Sequence, residues 1–137
     1  MDWAIFIAAL IAVESGGNVK AIGDNGRAYG ILQIHQCVVE DVNRVYDFRV
    51  LPNGTVVAGG KEGRPFVHAD MFKEQYARLA TVSYLRHYGR VYKRQTGNDS
   101  TPEVYARIHN GGPYGWRKTA TVGYWKKVKS AMDKGDE

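Results

Sequence analysis

Eleven consecutive apolar residues, Trp3-Ala-Ile-Phe-Ile-Ala-Ala-Leu-Ile-Ala-Val13, open the chain after Met1-Asp2. A helix apolar on every side is normally a central core helix, and the pattern predicts one over residues 2–14. The run is too short to cross a bilayer, which takes roughly 20 residues. It has the length of a signal-peptide core, but Asp2 stands where a positive charge would be and no small-residue cleavage site follows. Gly16-Gly17 supplies the glycine that a helix C-terminus favours.

Residues 15–29 are rich in turn formers around Gly23-Asp24-Asn25-Gly26. Ile34, Val38, Val42 and Val45 then recur at three- and four-residue spacing, predicting a helix over 33–46. Val50-Leu51 and Val56-Val57 flank Pro52-Asn53-Gly54 and predict a small hairpin within 47–65. A long helix is expected over 70–93, with Met71, Tyr76, Leu79, Val82 and Leu85 inside. Ser100-Thr-Pro-Glu103 has the form of a capping box opening a short helix to about His109, which Asn110-Gly-Gly-Pro113 ends. A last helix is expected over 119–132. The fold class is mainly α, with about five helices around a buried N-terminal one and at most a small hairpin.

Composition agrees with one globular domain over 1–137. The 137 residues are 44% hydrophobic, long enough to bury a core without staples. One cysteine, Cys37, excludes a disulfide framework and a cysteine-cluster metal site. The histidines at 35, 68, 87 and 109 lack metal-ligand spacing, no phosphate loop is present, and no cofactor is implied. His35 and Cys37 lie two apart, which does not support a cysteine–histidine pair. The net charge of +5 is uneven: residues 1–60 carry −2 and residues 61–137 carry +7. Such an excess suits an anionic partner or only a solvated surface.

Two carboxylates stand out. Glu14 ends the apolar helix, where the helix dipole and the apolar run both work against its charged form, as a general acid requires. The alternative is a solvated acid at a helix end. Asp24, ten residues on, sits in a glycine-flanked turn, and aspartate is also an ordinary turn former. Two carboxylates across a glycine-rich loop suit glycosidase chemistry, one protonating the leaving oxygen and the other stabilising or trapping the sugar cation.

Taken together, Glu14-Ser-Gly-Gly-Asn18, Gly23-Asp24-Asn-Gly26 and Tyr29-Gly30-Ile-Leu-Gln33-Ile34 resemble the catalytic half of the lysozyme superfamily. Ala106-Arg-Ile-His-Asn-Gly-Gly-Pro-Tyr-Gly115, followed by Thr121-Val-Gly-Tyr-Trp125, resembles the invertebrate-type, or destabilase, lysozymes. The resemblance implies an α+β lysozyme-like fold and a muramidase that cleaves the β-1,4 bond between N-acetylmuramic acid and N-acetylglucosamine. Glu14 matches the general acid and Asp24 the second carboxylate, across a loop one residue shorter than the family's. Gln33, His109, Asn110, Gly111 and Gly112 match cleft-lining positions. Tyr29, Tyr114 and Trp116, flanked by glycines, are candidate sugar platforms, whereas Tyr124 and Trp125 fit the core better.

The resemblance also implies disulfides that this chain lacks. Its absence points to a bacterial or phage-like relative made in a reducing cytosol, then released to the wall or carried in a larger protein. Expected partners are peptidoglycan strands and the anionic wall, for a monomer with no transmembrane segment and no nucleic acid. The rival activity is a lytic transglycosylase using Glu14 alone and leaving 1,6-anhydro ends. A rival of another class is a non-catalytic module that binds cell wall or nucleic acid.

Overall fold

In the computed structural model, which describes residues 1–135, the apolar run is helix α1, Trp3–Glu14. Asp2 caps it, its carboxylate accepting from the backbone amides of Ala4 and Ile5. Phe6, Ile7, Ala9, Leu10 and Ile11 are buried, while Ala4, Ala8 and Ala12 are exposed. The exposed side is thus built of alanines, which is why the sequence looks apolar all round. Gly16 follows in the left-handed region, φ 64°, with its amide on Ile11 O.

Two short antiparallel pairs follow. β1, Ile22–Gly23, pairs with β2, Ala28–Tyr29, around the Asp24–Gly26 turn. That ladder is only two residues long, too short to show as alternation in the sequence. The expected hairpin is present as β3, Phe48–Val50, and β4, Val56–Ala58, in the register Phe48↔Ala58. Between the pairs lies α2, Gln36–Tyr46, burying Val39 and Val42. It starts three residues later than its periodicity suggests. Gln33, at φ 52°, and the Tyr29–Ile34 backbone bridge keep the preceding segment out of helix.

The long helix α3 is Glu74–Thr96. Its expected first turn is a separate 3-10 turn over His68–Phe72, because the Asp70 carboxylate accepts from the Val67 amide and Lys73 turns extended. Met71, Tyr76 and Leu85 are buried as expected. Leu79 and Val82 are only half-buried, and the small residues Ala77, Ala80 and Thr81 are buried in their place. Helix α4, Pro102–Gly111, is capped by Thr101, whose hydroxyl accepts from the Val104 amide. Ser100 instead donates to Gly89 O, and Glu103 pairs with Arg107, so the expected capping box does not form. Helix α5 is Val122–Gly135, preceded by 3-10 turns at Gly115–Arg117 and Thr119–Thr121.

The chain divides into two compact units, one of residues 1–17 with those from Leu85 onward, the other Asn18–Tyr84. In the first, α1 and α4 pack on α5 around Phe6, Leu10, Ile108 and Val128. In the second, Leu32, Ile34, Val39, Val42 and Met71 form the core. Among the described residues, no helix is long and apolar enough to cross a membrane.

Candidate active site

Glu14 is the last residue of α1, and its side chain is 18% exposed. The His109 ring, on the last turn of α4, brings Nε2 to 3.2 Å from Glu14 Oε2. That ring is 7% exposed. The ring thus lies against one oxygen of the carboxyl. The Tyr124 ring lies on α5 in the same unit, its hydroxyl buried and without a hydrogen-bond partner there. Burial, and then the charge of Glu14, push its phenol well above the usual range.

The segment beside His109 is braced from within. Arg107 Nε donates to Thr121 Oγ1 at 2.9 Å, and its NH2 to Lys118 O at 2.9 Å. Lys118 Nζ reaches Gly111 O at 2.7 Å. Gly115 lies so close to the Arg107 carbonyl that a Cβ there would overlap it, which is why the sequence needs a glycine. Asn110 is exposed at the end of α4, and Gly111 closes the helix.

Asp24 lies in the second unit and differs in character. Its side chain is 48% exposed and its φ is 49°, followed by Asn25 at φ 56°. Two side chains meet it: Arg27 NH2 at 3.3 Å from Oδ1, and His35 Nε2 at 3.1 Å from Oδ2. Gln33 underlies the turn, its amide donating to Gly30 O at 2.9 Å and to Ala21 O at 3.2 Å. Gly30, φ 84°, packs against the Met71 carbonyl with no room for a side chain.

No family model matches the chain. A 39-residue stretch is 49% identical to Lysozyme 1 of Crassostrea virginica, covering 28% of this chain and 21% of that protein. A 54-residue stretch is 46% identical to invertebrate-type lysozyme 3 of Caenorhabditis elegans, covering 37% of each. The matches thus span well under half of these relatives' own length. Among solved structures, an inhibitor-bound lysozyme from Meretrix lusoria aligns with a TM-score of 0.63 and 25% identity, covering 92% of this chain and 87% of that one. The fold is a lysozyme fold. Its sequence likeness is to the invertebrate-type lysozymes. The Tapes japonica lysozyme aligns over 91% of the chain with a TM-score of 0.57 at 21% identity.

On this lysozyme fold the expected site residues fall into groups. Glu14, His109, Asn110, Gly111, Gly112, Tyr114 and Trp116 belong to the first unit; Asp24, Tyr29 and Gln33 belong to the second. Tyr114 is 42% exposed, with the Arg117 guanidinium 4.5 Å over its ring. Trp116 is half-buried, edge-on to Tyr92. Tyr29, expected as a platform, stacks on His68 at 3.7 Å and on Phe72 at 4.6 Å, so its ring is a packing element. Gln33, expected to line the cleft, gives its amide donors to backbone carbonyls of the turn.

Sequence reasoning missed His35 and Arg27. His35 was read on a helix beside Cys37, but it lies before α2, whose first residue is Gln36, and turns towards Asp24. The spacing of a turn residue and a helix-capping residue has no period, so nothing in the pattern links the two.

Proposed function

We propose that the chain is a peptidoglycan-degrading muramidase, hydrolysing the β-1,4 bond between N-acetylmuramic acid and N-acetylglucosamine. The observation that carries the reading is the Glu14–His109 contact, 3.2 Å, on a lysozyme fold. A general acid must be partly withdrawn from water and aimed at one oxygen. Glu14 is 18% exposed and has the His109 ring at Oε2, which supports that role. After the proton transfers, the His109 Nε2–H donates to the carboxylate that forms. Asp24 is the second carboxylate, which stabilises or traps the oxocarbenium-like carbon. The exposed Tyr114 ring offers a sugar a stacking face. His109, Asn110 and Gly111 line the acid's side of the site. Peptidoglycan at the bacterial wall is the partner, and no cofactor takes part.

Glu14→Gln tests this, because the amide keeps the shape and cannot donate the proton. Clearance of purified peptidoglycan is expected to fall by about 100-fold or more, the usual worth of general acid catalysis. Full clearance by the variant removes Glu14 from the mechanism. Mass spectrometry of the wild-type digest is expected to show reducing ends; 1,6-anhydro ends, lighter by one water, assign the chain to the lytic transglycosylases instead. Binding of peptidoglycan without any cleavage by the wild type makes it a non-catalytic module.

A further inference from the structure

Asp24 has little of its own to hold it still. It sits in a turn of two successive left-handed residues, Asp24 and Asn25, between glycines, with a half-exposed side chain. Arg27 offers little rigidity. Its guanidinium is 66% exposed, and it bonds Asp24 twice within the same turn, through NH2 to Oδ1 and Nε to the backbone carbonyl. Arg27 therefore moves whenever the turn moves. An exposed pair of this kind contributes little order.

His35 is anchored differently. The residue before it, Ile34, is 1% exposed and exchanges both backbone hydrogen bonds with Tyr29, at 2.9 and 3.0 Å. Ile34 O also accepts from the His68 ring at 2.7 Å, and His68 stacks on Tyr29. On its other side, the His35 carbonyl accepts from the Val38 amide at the start of α2. Its imidazole, 42% exposed, thus projects from backbone held on both sides, with Nε2 3.1 Å from Oδ2 of Asp24.

We infer that His35 is a positioning residue for Asp24, tying the second carboxylate to the α2 entry segment through its Nε2···Oδ2 contact at 3.1 Å. The inference rests on reading Asp24 as that second carboxylate. Against an ionised carboxylate the contact is favourable only when Nε2 carries a hydrogen. A neutral His35 is therefore held in its Nε2–H tautomer, and a charged one needs no choice. In the transition state the carboxylate must meet a developing positive charge at a fixed distance, so a freely rotating Asp24 loses turnover rather than substrate binding. His35 acts on the reaction only through Asp24.

The test uses His35→Gln, His35→Ala, Asp24→Ala and the double variant, assayed on peptidoglycan and by long-range 1H–15N spectra of the imidazole. His35→Ala is expected to lower kcat about tenfold with KM nearly unchanged, the worth of one polar contact to a charged group. His35→Gln, whose side-chain amide can reach the same oxygen, is expected to keep most of kcat. Added to Asp24→Ala, His35→Ala is expected to cost nothing further. Equal losses for the Gln and Ala variants, a change confined to KM, or full additivity with Asp24→Ala would overturn the proposal. The spectra, recorded above the imidazole's ordinary titration range, do not depend on activity. They are expected to show Nε2 protonated in the wild type and a mixed tautomer in Asp24→Ala. An unprotonated Nε2 in the wild type overturns the pairing. If Asp24→Ala retains full turnover while the tautomer still responds, the reading of Asp24 fails and the pairing stands.

Discussion

Glu14 and Asp24 carry the same group in different company. Glu14 lies at the end of the apolar helix and touches the His109 ring, while Asp24 is half-exposed and meets Arg27 at one oxygen and His35 at the other. In the proposed function the first would donate the proton and the second would face the sugar cation. A third carboxylate shows the stability side of the same physics. Asp70 is buried in the second unit, where burial works against its charge, but hydrogen bonds from Arg64 at 2.7 and 2.9 Å and from the Val67 amide outweigh that cost. Its carboxyl is held below its ordinary value of 3.8. A group depressed in the folded state adds stability above its unfolded value, and the contribution disappears as pH falls through the folded value. Asp70→Asn is therefore expected to cost about 1–3 kcal/mol at neutral pH, discounted because Arg64 is half-exposed. Melting curves from neutrality down to about pH 2 should show the wild type and variant converging below about pH 4.

Among the elements, the turn from Gly30 to Ile34 carries more than its length suggests. Gly30, at φ 84°, presses on the Met71 carbonyl, so Gly30→Ala combines a strained backbone with a direct overlap. A loss of about 2–4 kcal/mol is expected, read as a lower denaturant midpoint with unchanged slope. α1, the β3–β4 hairpin and the long α3 were legible because they repeat a period or have clear stop signals. The start of α3 was not, since Asp70 caps a 3-10 turn through a backbone contact that a helical pattern does not reveal. Nor was the burial of Ala77, Ala80 and Thr81 in place of Leu79 and Val82, because small residues become core only where another segment comes close. In the site, Glu14 and His109 were legible as residues from their motifs, but their contact was not: they are 95 positions apart in the sequence. His35 had no motif at all.

Across the whole molecule, the basic excess is shared less unevenly between the two units than between the halves of the sequence, and it is larger in the unit of Glu14. The unit containing Glu14 has eleven basic and seven acidic residues, against eight and seven in the unit containing Asp24. The proposed acid is thus carried on the more cationic part of the protein, which favours adsorption to an anionic wall. Wall clearance at limiting enzyme is expected to slow as ionic strength rises from about 0.01 M to about 0.15 M, where the screening length shortens from roughly 30 to roughly 8 Å. Initial rates on intact cell walls and on a short uncharged glycan, measured across that range, check this: only the former should respond.

The single cysteine has a practical side. Cys37 is exposed on the first turn of α2, two residues from His35. A maleimide dye or a surface linker would therefore attach at one known position, under reductant, with no bridge to scramble. Fluorescence from that position would follow the α2 entry segment, next to the side chain that meets Asp24, as peptidoglycan is added.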